Sequence, residues 1–265
     1  MNFIILIIKI LLLLSTSSLQ GYGLHKIFKF ARDGGYDGLD IALNQNNHDL
    51  WNSDYIYNLS KGFGINVFSI TAPKVGMDEK KVDKIMEIAI KLGVQNVTFS
   101  PPHISDKSIN WYKSYLPRIK RSTNISISIQ NIEQKFVFFI IPEYKNATLF
   151  EIRKITGNTT LDLSNVDHSS SMDILKAQKI LGSSIKNVFL SDRHGTRTGL
   201  LPGTAGGGIS YLPLESFLMK LKTSGYNGII TLKVNPKEIG AGNDEEVSEN
   251  LEYIKKYYKK HFLNF

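Results

Sequence analysis

No cysteine occurs among the 265 residues, which excludes disulfides, thiolate-bound metals and a cysteine nucleophile and leaves the redox compartment open. Histidine is sparse, at six residues, and this weighs against a multi-metal phosphodiesterase centre built from many imidazoles and carboxylates. No Pro/Gly/Ser-rich linker and no long low-complexity segment divides the chain. Neither a Walker loop nor a dinucleotide fingerprint is present. A membrane-spanning helix needs an unbroken apolar run of roughly 20 residues, and the N-terminal stretch MNFIILIIKILLLLSTSS is shorter and interrupted by Lys9. It has no basic residue ahead of its apolar run, and cleavage near Ser17 would remove the first predicted strand, so a signal peptide or membrane anchor is the minor reading. Residues 1–9 are expected to be an apolar extension, and the protein is expected to be cytoplasmic with no stable membrane span.

What the chain does contain is a balance of 32 Lys+Arg against 24 Asp+Glu, a net charge of +8. Such a surplus attracts nucleic acid, anionic lipid or phosphorylated metabolites. The lysines are scattered over several predicted helices, as at Lys80, Lys81 and Lys84 or Lys255, Lys256 and Lys259, which is the pattern of solvated outer faces. Nucleic acid is therefore not the expected partner.

At 265 residues and 42% hydrophobic, the chain can bury a large core. Short apolar runs alternate with amphipathic periods throughout. Strands are predicted at 10–16, 38–43, 66–71, 96–100, 126–130, 160–163, 187–191 and 229–234. The intervening helices have recognisable ends: Asp78 can cap the third, Val82, Ile85, Met86, Ala89 and Leu92 share one face, and Gly93 can stop it. Eight strand-then-helix units in one domain, 10–265, predict an α/β fold, a single (β/α)8 barrel. Two connections are irregular. EQKFVFFIIPEYKN follows the fifth strand and is expected to be a lid or an extra strand over the barrel mouth. Residues 193–210, glycine-rich and without an apolar period, follow the seventh, and long loops of this kind are usually functional or disordered.

The segments GYDGLDIAL (35–43), LDLSN (161–165), VFLSD (188–192), PGTAGGGIS (202–210), LPLESFL (212–218) and GYNGIITLKVNP (225–236) together resemble the xylose-isomerase-like TIM-barrel superfamily. That group includes sugar-phosphate isomerases and epimerases and the apurinic endonuclease family 2. The resemblance runs from Leu11 onward and implies a divalent metal, Mn, Mg or Zn, held by a Glu, an Asp, a His and a Glu at strands five to eight. Those places are taken here by Gln130, Asp162, Phe189 and Lys233; Asp162 is the one matching ligand. A hard divalent ion needs several anionic or imidazole ligands, so no metal is expected at the usual site. Lys233 instead stands where the metal's charge would be. It could act as a fixed cation, as a base or Schiff-base amine after desolvation, or only as half of a structural ion pair with Asp162.

Other candidates lie at the strand ends where barrels keep their chemistry. Asp192 and His194 follow the seventh strand as a possible acid and base, or as solvated groups on a mobile tip. Gly206 and Gly207, with Gly203 and Gly208, could cradle a phosphate through backbone N–H groups or serve as flexible turns. His103 after Pro101 and Pro102 suits a substrate contact, while His168 suits an exposed helix start. Asp40 could bind sugar hydroxyls or line a polar interior. The resemblance implies an isomerase- or epimerase-like barrel acting on a small carbohydrate or sugar phosphate, with Lys233, Asp162, His194 and Asp192 as catalytic candidates and Gln130, His103, Asp40, Gly206 and Gly207 as substrate-binding ones. A non-catalytic sugar-binding or regulatory barrel of the same descent is the second reading, and an apurinic-endonuclease-like enzyme the third.

Overall fold

Eight parallel strands close on themselves in the order of the chain, the last pairing with the first. A computed structural model describes residues 10–166, 173–206 and 212–264. The strands are β1 (Leu11–Ser15), β2 (Gly38–Ala42), β3 (Asn66–Thr71), β4 (Asn96–Phe99), β5 (Ser126–Gln130), β6 (Thr159–Asp162), β7 (Ile185–Leu190) and β8 (Ile229–Leu232). Helices follow each: α1 (Leu24–Asp33), α2 (Ser53–Phe63), α3 (Glu79–Leu92), α4 (Leu116–Ser122), α5 (Leu149–Thr156), α6 (Ile174–Leu181), α7 (Leu214–Thr223) and α8 (Asp244–Tyr258). This is a single (β/α)8 TIM barrel. Strand ends fall within a residue or two of the sequence reading. The apolar extension at residues 1–9 lies outside the described residues, among which no helix is long and apolar enough to cross a membrane.

The pleat sends alternate side chains to opposite faces, and the two faces differ in chemistry. Outward residues such as Leu12, Leu14, Ile41, Val97, Ile129, Leu161 and Ile230 pack with the helices in one apolar cluster. Burying each such side chain contributes about 1.5–3 kcal/mol. The inward face is largely polar. Thr98 and Ser128 lie 2.9 and 2.7 Å from the Thr160 hydroxyl, and the Thr231 hydroxyl donates to Asn187 Oδ1 at 3.0 Å. These bonds satisfy groups whose unpaired burial would be costly.

Local signals fix the elements as expected. Asp78 accepts the backbone N–H of Lys81 at 2.8 Å, and Gly93 ends α3 in the left-handed region at φ +66°, where a side chain is disfavoured. Gly38 answers a different need, since a Cβ there would lie 2.5 Å from the Asn66 carbonyl oxygen.

Both irregular connections form two-stranded antiparallel ribbons beyond the C-terminal ends of barrel strands. After β5, Phe136–Val137 pairs with Ile141–Pro142; after β7, Asp192–His194 pairs with Arg197–Leu200. Arg193 ties the two regions together, its guanidinium donating to Ser164 O at 3.1 Å, Gly195 O at 2.7 Å and Glu133 Oε1 at 2.7 Å.

Candidate active site

Lys233 follows β8, and its backbone N–H donates to Leu190 O of β7 at 3.1 Å, which holds the side chain at the barrel mouth. Its Nζ lies 3.2 Å from Asp162 Oδ2, 3.3 Å from Gln130 Oε1 and 4.0 Å from the centre of the Phe189 ring. The four residues at the ends of β5 to β8 thus meet around one ammonium group. The Asp162 side chain is 4% exposed and that of Lys233 17%, so the pair is shielded without being sealed.

Each partner is held from a second direction. Gln130 Nε2 donates to Ser100 Oγ at 2.6 Å, which turns its carbonyl oxygen toward Lys233. Asp162 accepts from Ser164 Oγ at 3.0 Å and from Asn165 Nδ2 at 2.9 Å. Its backbone is clamped by Asn131, whose Oδ1 accepts the Asp162 N–H at 2.7 Å and whose Nδ2 donates to the Asp162 carbonyl at 2.9 Å. A carboxylate so ringed by donors is pre-aimed.

Asp40 is fully buried and accepts from Ser15 Oγ at 2.8 Å and from Thr71 Oγ1 at 3.0 Å. Burial pushes its carboxyl above the usual range, opposed by those hydroxyls and by the charge of Lys233. Ser15 Oγ is also 2.9 Å from Ser17 Oγ. Ser17 lines a cavity of about 600 Å³ at the ends of β1 to β3, whose wall also carries Gln20, Asn44, Gln45 and Lys74. Hydroxyl contacts therefore connect Asp40 to that cavity. Lys74 is lowered from its ordinary value, first by the positive charge of Lys233 and then by burial. The residue is exposed, so the neighbouring ammonium is the cause that matters more. A second cavity of about 670 Å³, mostly apolar, shares Asn131 and Asn165 with the surroundings of Asp162.

The other candidates stand apart from this group. Asp192 spends its carboxylate on backbone: Oδ1 accepts from Arg193 N at 2.7 Å, and Oδ2 from Gly203 N at 2.9 Å and Ala205 N at 3.3 Å. Burial raises its carboxyl and those N–H bonds oppose the shift. The amides offered as a phosphate cradle are thus partly engaged by the protein itself. Gly206 is open, at φ +72° with nothing near a Cβ; Gly207, Gly208 and His168 lie outside the described residues. His194 is exposed on its ribbon and makes no hydrogen bond to the Lys233 group. His103 contacts Glu143 Oε1 at 3.2 Å through Nε2 and Ser105 Oγ at 2.6 Å through Nδ1. It anchors the base of the β5 ribbon.

Ser100, Asn131, Asn165 and Lys74 were not legible as site residues. One signal was available: Ser126, Ser128 and Gln130 alternate with Ile127 and Ile129, which places a polar row on one face of β5.

The same fold occurs in known sugar epimerases. A D-allulose 3-epimerase from Methylomonas sp., solved with D-allulose, superimposes with a TM-score of 0.70 at 14% identity, over 96% of this chain and 98% of that one. A D-psicose 3-epimerase from Clostridium cellulolyticum H10, solved with D-tagatose, gives 0.68 at 12% identity, over 95% and 99%. The 3-keto-D-glucoside 4-epimerase of E. coli gives 0.67 at 13% identity, over 94% and 100%. The likeness to these proteins is one of fold, the (β/α)8 barrel. No protein-family model matches the chain, and neither does a curated protein sequence.

Proposed function

We propose that this barrel is an isomerase- or epimerase-like enzyme acting on a small sugar or sugar phosphate, with the Lys233 ammonium in the place of the metal ion that the resemblance implies. The fold supports the substrate class. The observation that carries the reading is the placement of Lys233 Nζ 3.2 Å from Asp162 and 3.3 Å from Gln130, at the strand ends where barrels of this kind assemble their chemistry. The donor set does not fit a hard divalent ion, since one carboxylate, one neutral amide, a phenyl ring and a cation stand there. Among the described residues no group of three or more His, Asp or Glu side chains is placed to hold a metal ion.

Epimerisation beside a carbonyl requires removal of a proton from carbon and stabilisation of the oxyanion that forms. In this reading Lys233 hydrogen-bonds the substrate carbonyl and stabilises the developing negative charge as a preorganised cation. Asp162 accepts the carbon-bound proton. Asp40, raised by burial and reached through Ser15 and Ser17, is the second acid or base, because its environment differs from that of Asp162. The amide-rich cavity wall suits sugar hydroxyls.

A second reading, a barrel that binds a sugar without turning it over, is favoured by one observation. Asp192 and His103 are occupied by contacts within the protein, which leaves few free proton carriers.

A panel of aldoses, ketoses and their phosphates, followed by NMR in deuterated water, distinguishes the two. The enzyme reading predicts deuterium at the carbon beside the carbonyl, lost in Lys233→Met. Saturable binding without exchange supports the second reading.

A further inference from the structure

The ribbon after β5 carries six consecutive apolar residues that all face water. Phe136, Val137, Phe138, Phe139, Ile140 and Ile141 are 57%, 36%, 80%, 96%, 78% and 41% exposed. Phe138 and Phe139 form the turn in the left-handed region, at φ 50° and 63°, a backbone region disfavoured for bulky side chains. A contiguous exposed apolar patch on a soluble fold marks an interaction surface.

We propose that this ribbon is a membrane-surface anchor whose tip enters the interface of an anionic lipid bilayer. Three observations select lipid over a protein partner. First, Phe136 and Val137 point to opposite faces of the ribbon and both are exposed, so the occupant must surround the tip; a fluid interface does this, whereas a protein would need a matching slot. Second, the ribbon pairs part of its backbone internally, and an interface, unlike an acyl core, still offers water and headgroups to the groups on its open edges. Phe136 pairs with Pro142 and Val137 with Ile141, Ile140 N–H donates to Val137 O at 3.3 Å, and Glu143 N–H to Lys135 O at 2.8 Å. Third, the charge at the ribbon base is positive. Glu133 is ion-paired with Arg193 and Glu143 contacts His103, while Lys74, Lys135 and Lys145 are exposed with no ion pair among the described residues, so cations outnumber free acids there. Cations set behind an apolar tip match a layer of anionic headgroups over acyl chains. The inference does not depend on the reaction proposed for the barrel.

The test is co-sedimentation of the full chain with phosphatidylcholine vesicles and with vesicles that also contain phosphatidylglycerol. Two variants are compared, Phe138→Ser/Phe139→Ser and Lys135→Glu/Lys145→Glu, both at exposed sites and both checked by circular dichroism. The wild type is expected to bind the anionic vesicles. The aromatic variant is expected to bind at least about tenfold more weakly, and the charge variant to lose the preference for anionic lipid. No vesicle binding by the wild type, or equal binding by the aromatic variant, overturns the proposal. A dimer in solution that the aromatic variant dissociates would assign the ribbon to a second copy of this chain and overturns it too.

Discussion

Replacing Lys233 by Met, Asp162 by Asn, and both together measures how strongly the mouth depends on the Lys233–Asp162 ion pair. At a separation of 3.2 Å, two unit charges attract by roughly 5 kcal/mol at an effective dielectric of about 20. Desolvation of both groups offsets most of this. The coupling left in a double-mutant cycle is expected at about 1–3 kcal/mol. The single changes should be unequal. Lys233→Met strands a carboxylate whose side chain is 4% exposed, although Ser164 and Asn165 still donate to it, and is expected to cost about 2–3 kcal/mol. Asp162→Asn leaves a lysine with Gln130, the Phe189 ring and a path to water, at about 1 kcal/mol. Equilibrium denaturation at neutral pH reads these values, and the melting temperature should move by about 2–4 °C per kcal/mol. Coupling within about 0.3 kcal/mol of zero, or a larger cost for Asp162→Asn than for Lys233→Met, would refute the reasoning.

Three other outcomes are expected. Asp40 holds its proton to higher pH in the folded chain than in the unfolded one, so the folded state binds more protons there and stability falls as pH rises above about 4. Asp40→Asn should flatten that slope in unfolding measurements, and an unchanged slope would assign it to other groups. Asp192→Ala frees the N–H groups of Gly203 and Ala205; hydrogen exchange should accelerate around residues 200–206 at a stability cost of about 1–3 kcal/mol. Gly38→Ala drives a Cβ to 2.5 Å from the Asn66 carbonyl oxygen and should destabilise by about 1–3 kcal/mol, read by thermal melting.

The barrel was legible because its signals are local. Buried strands read as short apolar runs, and Asp78 and Gly93 mark the two ends of α3 in both sequence and structure. The contact of Lys233 with Asp162 was one of the readings open at the strand-end positions that the resemblance picks out. What escaped were contacts whose meaning depends on a neighbour far along the chain. Asn131 looks like any loop amide until β6 lies beside it and Asp162 fills both of its hydrogen-bonding atoms. Lys74 acquires interest only from the nearby charge of Lys233. Asp192 reads as a catalytic acid until the returning loop brings two backbone N–H groups to it. The ribbon after β5 was visible as an apolar irregularity, but not that its side chains face water.

The most direct measurement of whether Lys233 stands in for a metal is deuterium exchange into the substrate that the panel identifies, run on chelator-treated protein alongside elemental analysis. Exchange that persists with no stoichiometric Mn, Mg or Zn and disappears in Lys233→Met is the predicted result. Exchange that requires a bound divalent ion, or that survives Lys233→Met, would contradict it.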